Sequence, residues 1–252
     1  PAADEPGLTP AEAAAVAARC RAAFQEATAA LDAAALEVLI APYFDGVARH
    51  LEDLLAGAHR EHFGSGMAPA AAAAAECSPY LDRFRRGLDT FFQVHARRLP
   101  DAPFTLVGVQ RLAARLARTL ATHLALVRPL GAEGRAALAR DVAAAEGALG
   151  TLVRLGDLGP AAAELRALKE ALLVEDHALA EVFGPEALAT GKSPANDLRP
   201  STLFHHLLSR GPDTLPSPHA AAGCPAGAYA RWLLGDGPAA APPFAAAAAA
   251  RS

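Results

Sequence analysis

Aromatic side chains are scarce: 6% of the 252 residues, with one tryptophan and three tyrosines. A core built on aromatic stacking is therefore excluded. Cysteine is scarcer still. Cys20, Cys77 and Cys224 are odd in number and far apart, which argues against a zinc knuckle or a secreted disulfide framework and for a reducing compartment. Positive charge is not in excess. With 23 Lys and Arg against 27 Asp and Glu the net charge is −4, so a globally basic nucleic-acid binder is excluded and no nucleic-acid partner is expected. No segment shows the period-two alternation of β-strands. No run of about 18 apolar residues suggests a membrane span, and the alanine tracts 70–75 and 245–250 are too short and too weakly apolar. The only methionine is Met67 and the chain begins at Pro1, so a fragment of a longer protein is expected and the lack of a signal peptide carries no meaning.

What is abundant is alanine, which makes up the surplus behind a hydrophobic content of 52%. Alanine is the best helix former but adds almost no core volume. The composition thus predicts an all-α protein packed through Leu, Val and the ten Phe. Thr9-Pro10-Ala11-Glu12 reads as a capping box opening a helix that runs to about Ile40, where Pro42 kinks or interrupts it. Leu36, Ile40, Phe44, Val47, Leu51, Leu54 and Ala58 then form one helical stripe. Ser78-Pro79 opens a helix carrying Leu81, Phe84, Leu88, Phe91 and His95. Further stripes run Val109, Leu112, Leu116, Leu120, Leu124, Val127; then Leu138, Val142, Ala145, Leu149, Leu152; then Leu165, Leu168, Leu172. The pattern predicts roughly five to seven antiparallel helices in an elongated bundle. Its divisions are an Ala-rich helix of uncertain packing over 1–33, a main bundle over 34–183, a polar loop over 184–200, short helices over 201–234, and a low-complexity, dispensable tail over 235–252.

Motifs for chemistry are missing. No Glu is followed by His three residues later, as a di-iron bundle requires, and no His-Glu-x-x-His occurs. His59 and His62 lie one turn apart without a third ligand nearby, which reads as a surface pair. Gly64-Ser65-Gly66 lacks the strand-turn-helix setting of a nucleophile elbow, and Gly191-Lys192-Ser193 lacks the strand and first glycine of a phosphate loop. No catalytic residue, metal, cofactor or small-molecule substrate is expected. Arg111, Arg115 and Arg118 share one helix face that could meet an anionic lipid or an acidic partner, but a solvated face is the plainer reading. Arg83, Arg85, Arg86, Arg97 and Arg98 carry the same two readings. His205-His206 reads as one packed and one solvated residue.

Three blocks are less generic: residues 122–141 around Arg128-Pro129-Leu130-Gly131, residues 203–219 from Leu203-Phe204-His205-His206 to Ser217-Pro218-His219, and Tyr229-Ala230-Arg231-Trp232-Leu233. In order and spacing they resemble the C-terminal part of the fifth-subunit family of the conserved oligomeric Golgi complex. The resemblance covers about Ala34 to Leu234. The family carries an aromatic where this chain reads Gly223-Cys224-Pro225, and continues in a long helix where this chain turns Pro/Ala-rich after Gly235. What the resemblance implies is a rod of consecutive helical bundles in a non-catalytic subunit of a vesicle tether. That tether acts in intra-Golgi retrograde transport, peripheral to the Golgi membrane on its cytosolic face. The resemblance also implies contact with other subunits of the complex, the seventh foremost. A helical enzyme or carrier without a recognisable motif is the alternative. The candidate partner contacts are Leu203, Phe204, Leu207, Leu208, Tyr229 and Trp232: large apolar groups on helices too short to stand alone and spread over more than one stripe. That all of them are simply core remains the competing reading.

Overall fold

A computed structural model describes residues 9–64, 76–212 and 214–235. The expected tail after Gly235 and most of the low-complexity loop before Glu76 lie outside them. The described residues are all-α, with one isolated bridge between Phe63 and Leu130.

Helix α1 spans Pro10–Ala35. Thr9 and Glu12 form the reciprocal capping box that the sequence predicts, and Pro10 occupies the first turn. Helical structure then continues through a π-helical turn, Leu36–Ile40, into α2, Ala41–Leu55, and a 3₁₀ turn, Ala56–Arg60. The expected break at Pro42 does not occur. A proline lacks an N–H and its ring crowds the carbonyl four residues back. The π turn just ahead of it re-pairs the backbone, with the Ala41 N–H donating to the Leu36 carbonyl, and α2 starts with Pro42 in its first turn. The uninterrupted run Pro10–Arg60 holds an 18-residue window of mean hydropathy 1.4, long and apolar enough to cross a membrane by length and composition. This corrects the expectation that no segment reaches that mark. Alanine raised the mean and no breaker ended the helix. Only 17% of the window is buried in the fold.

Helices α3 (Pro79–Val94), α4 (Pro103–Leu126), α5 (Ala132–Gly150) and α6 (Pro160–Leu173) complete the main bundle. Short helices follow: α7 (Leu179–Val182), α8 (Pro185–Ala189), α9 (Pro200–Ser209), α10 (Pro218–Ala221) and α11 (Ala226–Leu233). Residues 184–200, expected to be a polar loop, thus include α8 and a 3₁₀ turn, Pro194–Asn196, with Ala195 buried in the turn and Leu198 buried just after it.

The central element is α4, with α2, α6, α9 and α11 all packed against it. Its sequence shows one leucine stripe, yet every residue from Leu116 to Leu126 except Arg118 is buried. Ala113, Ala117, Ala121 and Ala125 make this feasible: a face of methyl groups lets neighbouring helices approach from several sides. The start of α3 shows how loops are tied in. Its first turn has orphan N–H groups. The Glu61 carboxylate accepts from the Tyr80 N–H at 2.7 Å, and buried Asp141 of α5 accepts from the Ser78 N–H at 2.8 Å. Burial pushes both carboxyls up from their ordinary range.

Gly134 shows why one quoted block tolerates little change. A Cβ there would lie 1.9 Å from the Phe63 carbonyl oxygen, which accepts a hydrogen bond from the Gly131 N–H at 2.8 Å. Gly134→Ala is expected to cost about 3 kcal/mol, because the obstacle is backbone rather than a movable side chain. A urea midpoint matching that of the parent would contradict this.

Candidate functional site

The three blocks come together in space. The Arg128 guanidinium, at the end of α4, donates to the carbonyls of Leu208 and Pro212, the latter at 2.6 Å, and so holds the C-terminal end of α9. The other end of α9 is held by Arg199. Its Nε donates to both oxygens of buried Glu164 on α6 at 2.7 and 2.9 Å, and its Nη2 to the Thr122 hydroxyl of α4 at 2.8 Å. The Thr202 hydroxyl completes the Glu164 shell at 2.6 Å. From the third block the Tyr229 hydroxyl meets His205 Nε2 at 3.1 Å. Arg210, just after α9, caps the end of α6 by donating to the Val174 carbonyl at 2.7 Å and to that of Ala171. Every tie is a charge-assisted or buried hydrogen bond, so α9 is a fixed platform although it is only ten residues long.

That platform sorts the candidate contacts. Leu203 packs against the main core and Leu208 is half-buried, whereas Phe204 is 63% and Leu207 37% exposed. Tyr229, also in the expected set, is buried with Leu126, Ala222 and Ala230 in a small satellite core. Trp232 is half-buried at the edge of that core, its ring 5.7 Å from that of Tyr229. Leu203 and Tyr229 therefore serve packing, and Phe204 and Leu207 form the outward face.

Two of the three arginines on this face of α4 are paired. Arg115 donates from Nε and Nη2 to the two oxygens of buried Glu52, at 2.6 and 3.0 Å, and from Nη1 to Asp45 at 2.9 Å. Exposed Arg111 pairs with Glu37 at 2.7 Å. Arg118 is exposed, and no ion pair forms on it among the described residues. In the second cluster Arg83 pairs with Glu61, Arg85 with Glu76 and Arg86 with Asp82, and Arg97 donates to the Gln93 side chain at 3.0 Å.

The histidines also depart from expectation. His59 does not form a surface pair with His62. It turns inward, with Nε2 2.9 Å from His123 Nδ1 and its ring 5.4 Å from that of His219. Burial and the His219 imidazole lower His59 to about 4. Burial, His59 and Arg231 lower His123 to about 3. His205 and His206 are both buried, correcting the packed-and-solvated split, and burial lowers His206 to about 4. No group of three or more His, Cys, Asp or Glu with metal-holding geometry occurs among the described residues. Three open surface grooves of similar size occur among the described residues. One of about 600 Å³ lies between α2 and α3, one of about 560 Å³ between α3 and α5, and one of about 510 Å³ is lined by Arg118, Glu164, Arg199 and Leu233.

Comparison with curated proteins finds two relatives that bear on this chain. A conserved oligomeric Golgi complex subunit 5 from Arabidopsis thaliana is 31% identical over 206 residues, 77% of this chain. The Mus musculus protein of that name is 26% identical over 197 residues, also 77% of this chain. The chain is similar to the C-terminal part of subunit 5 of this complex. It spans 23% and 22% of the length of the two subunit 5 relatives. No family model and no solved structure matches. The subunit 5 resemblance read from three separated blocks thus rests on groups that bond to one another around α4 and α9. Arg128 and His205 were legible as block members. Glu164 and Arg199, which pin α9, gave no sequence signal, because their pairing spans two helices distant in the chain.

Proposed function

We propose that this chain is a non-catalytic part of a Golgi tethering complex, acting in intra-Golgi retrograde vesicle transport. It sits at the cytosolic face of the Golgi membrane, held there peripherally through its complex and not by its own insertion. The observation that carries this reading is the similarity to two subunit 5 proteins over 77% of the chain. The partners are other subunits of that complex, the seventh first. The contact is made by the outward face of α9, with Phe204 and Leu207 as anchors, Leu208 beside them and Trp232 at the margin. Support comes from the rigid seating of α9 and from the exposure of a phenylalanine that a monomer gains nothing by displaying.

Phe204→Asp tests this. With Phe204 63% exposed, the substitution is expected to leave the helical spectrum and melting temperature close to those of the parent, while co-purification with the seventh subunit falls at least tenfold. Unchanged co-purification by a folded variant would refute the assignment. A collapse of the fold would mean that Phe204 is core.

A further inference from the structure

The 26 residues of α1 include no buried one, although helices this long are normally held by packing. Its apolar residues are nevertheless ordered. Ala13, Ala17, Cys20, Phe24, Ala27, Leu31 and Ala34 alternate steps of four and three, the spacing of a coiled-coil seam, and all seven are exposed. Phe24 is 74% and Leu31 71% exposed, and Val38 and Leu39 carry the strip into the π turn at 71% and 67%. A lipid surface is a poor match, since α1 carries two arginines against three carboxylates and interfacial helices need a cationic face.

We propose, beyond the function above, that α1 is a homotypic contact in which two copies of the chain pair antiparallel along this seam. The seam is self-complementary in that direction. When Phe24 of one copy faces Ala27 of the other, Leu31 faces Cys20 and Ala17 faces Ala34, so each large side chain meets a small one across a two-fold axis. A parallel pair would instead stack Phe24 on Phe24 and Leu31 on Leu31, leaving voids at the alanine layers between them. Arg19, Gln25 and Glu26 face outward. The area suffices: a helix of this length is about 39 Å long. Its large seam residues with the alanine and flank atoms offer on the order of 800 Å² per copy, the size of a standard interface.

Two measurements on the full chain decide the matter. Sedimentation equilibrium is expected to show a reversible dimer that Phe24→Glu and Leu31→Glu each convert to monomer, with a melting temperature equal to that of the parent diluted to its monomeric range. Under mild oxidation, Leu31→Cys is expected to give a disulfide-linked dimer joined to Cys20 of the second copy. Adding Cys20→Ser should abolish that product, because antiparallel pairing brings these two positions within disulfide range. A parent chain that stays monomeric at tens of micromolar overturns the proposal. So does a dimer indifferent to Phe24→Glu, or a Cys20–Cys20 disulfide as the main product where the parent is fully dimeric, since within a pair only the parallel arrangement brings those two thiols together. A longer chain, carrying the residues that the relatives have ahead of the match, that remains monomeric because its own helix covers the seam also overturns it.

Discussion

Replacing Arg115 with alanine is expected to destabilise the fold by about 3–5 kcal/mol, although the residue stands on a face that reads as solvated. Its partner explains why. Glu52 is 3% exposed, and its two oxygens are satisfied by the Arg115 fork and by the Thr119 hydroxyl at 3.2 Å. Without the guanidinium, Glu52 is left as a buried charge with one neutral donor. Lysine should not rescue, because a point charge cannot reproduce the two parallel bonds. Replacing Glu52 and Arg115 together with leucine should recover most of the loss, since the cost lies in the unpaired charge. Urea unfolding of the three variants checks this. An Arg115→Ala cost below about 1 kcal/mol, the range of exposed pairs, would contradict it. Arg111, paired with Glu37 in solvent, is expected to stay in that range.

Acid is expected to unfold the protein well above the range in which its carboxylates titrate. His59, His123 and His206 are held at about 4, 3 and 4, against an ordinary 6.5. Below 6.5 the unfolded chain takes up these protons and the native state does not, so stability falls as pH falls, until the native values are reached. The slope is about 1.4 kcal/mol per pH unit for each histidine, or about 2 kcal/mol each and on the order of 6 kcal/mol together at pH 5. Geometry supports the direction. A 2.9 Å nitrogen–nitrogen contact between His59 and His123 needs one N–H and one lone pair, so protonating both rings breaks it. Around these rings His219, Arg231, Arg210 and Arg135 all oppose a further positive charge, and only the Ala171 backbone at His206 works the other way. Asp141 and Glu61 act the other way. Raised by burial, they bind protons in the native state first and return part of the loss as pH falls. Melting temperature should therefore drop steadily from pH 7 to 5, and His123→Phe should flatten the profile. A flat parent profile over that range would refute the prediction.

The fold class was legible because helix formation is written locally. Thr9 and Glu12 cap as read, and the stripes of α2, α3 and α5 are the buried faces. The centrality of α4 was not legible. A stripe such as Leu112, Leu116, Leu120 marks one buried face, but alanine is compatible with core and solvent alike, so only the neighbours decide that Ala113 and Ala117 are buried while Ala13 and Ala17 are exposed. The partner surface was half legible. The sequence singled out the right segment by its large side chains, but the division between Phe204 outward and Tyr229 inward depends on how α9 and α11 rotate against α4.

What the sequence determined by itself is what depends on neighbours within a turn or two: helix starts, helix periodicity, the absence of contiguous metal and catalytic motifs, and the three blocks that mark the resemblance. What only the tertiary structure decided is the partner of each charge and imidazole. Arg115 with Glu52, Arg199 with Glu164 and His59 with His123 are separated by 63, 35 and 64 residues. A charged side chain reads as solvated until something desolvates it. Here burial between helices turns these apparent surface groups into fixed ties, because removing water makes an unpaired polar group too costly to leave.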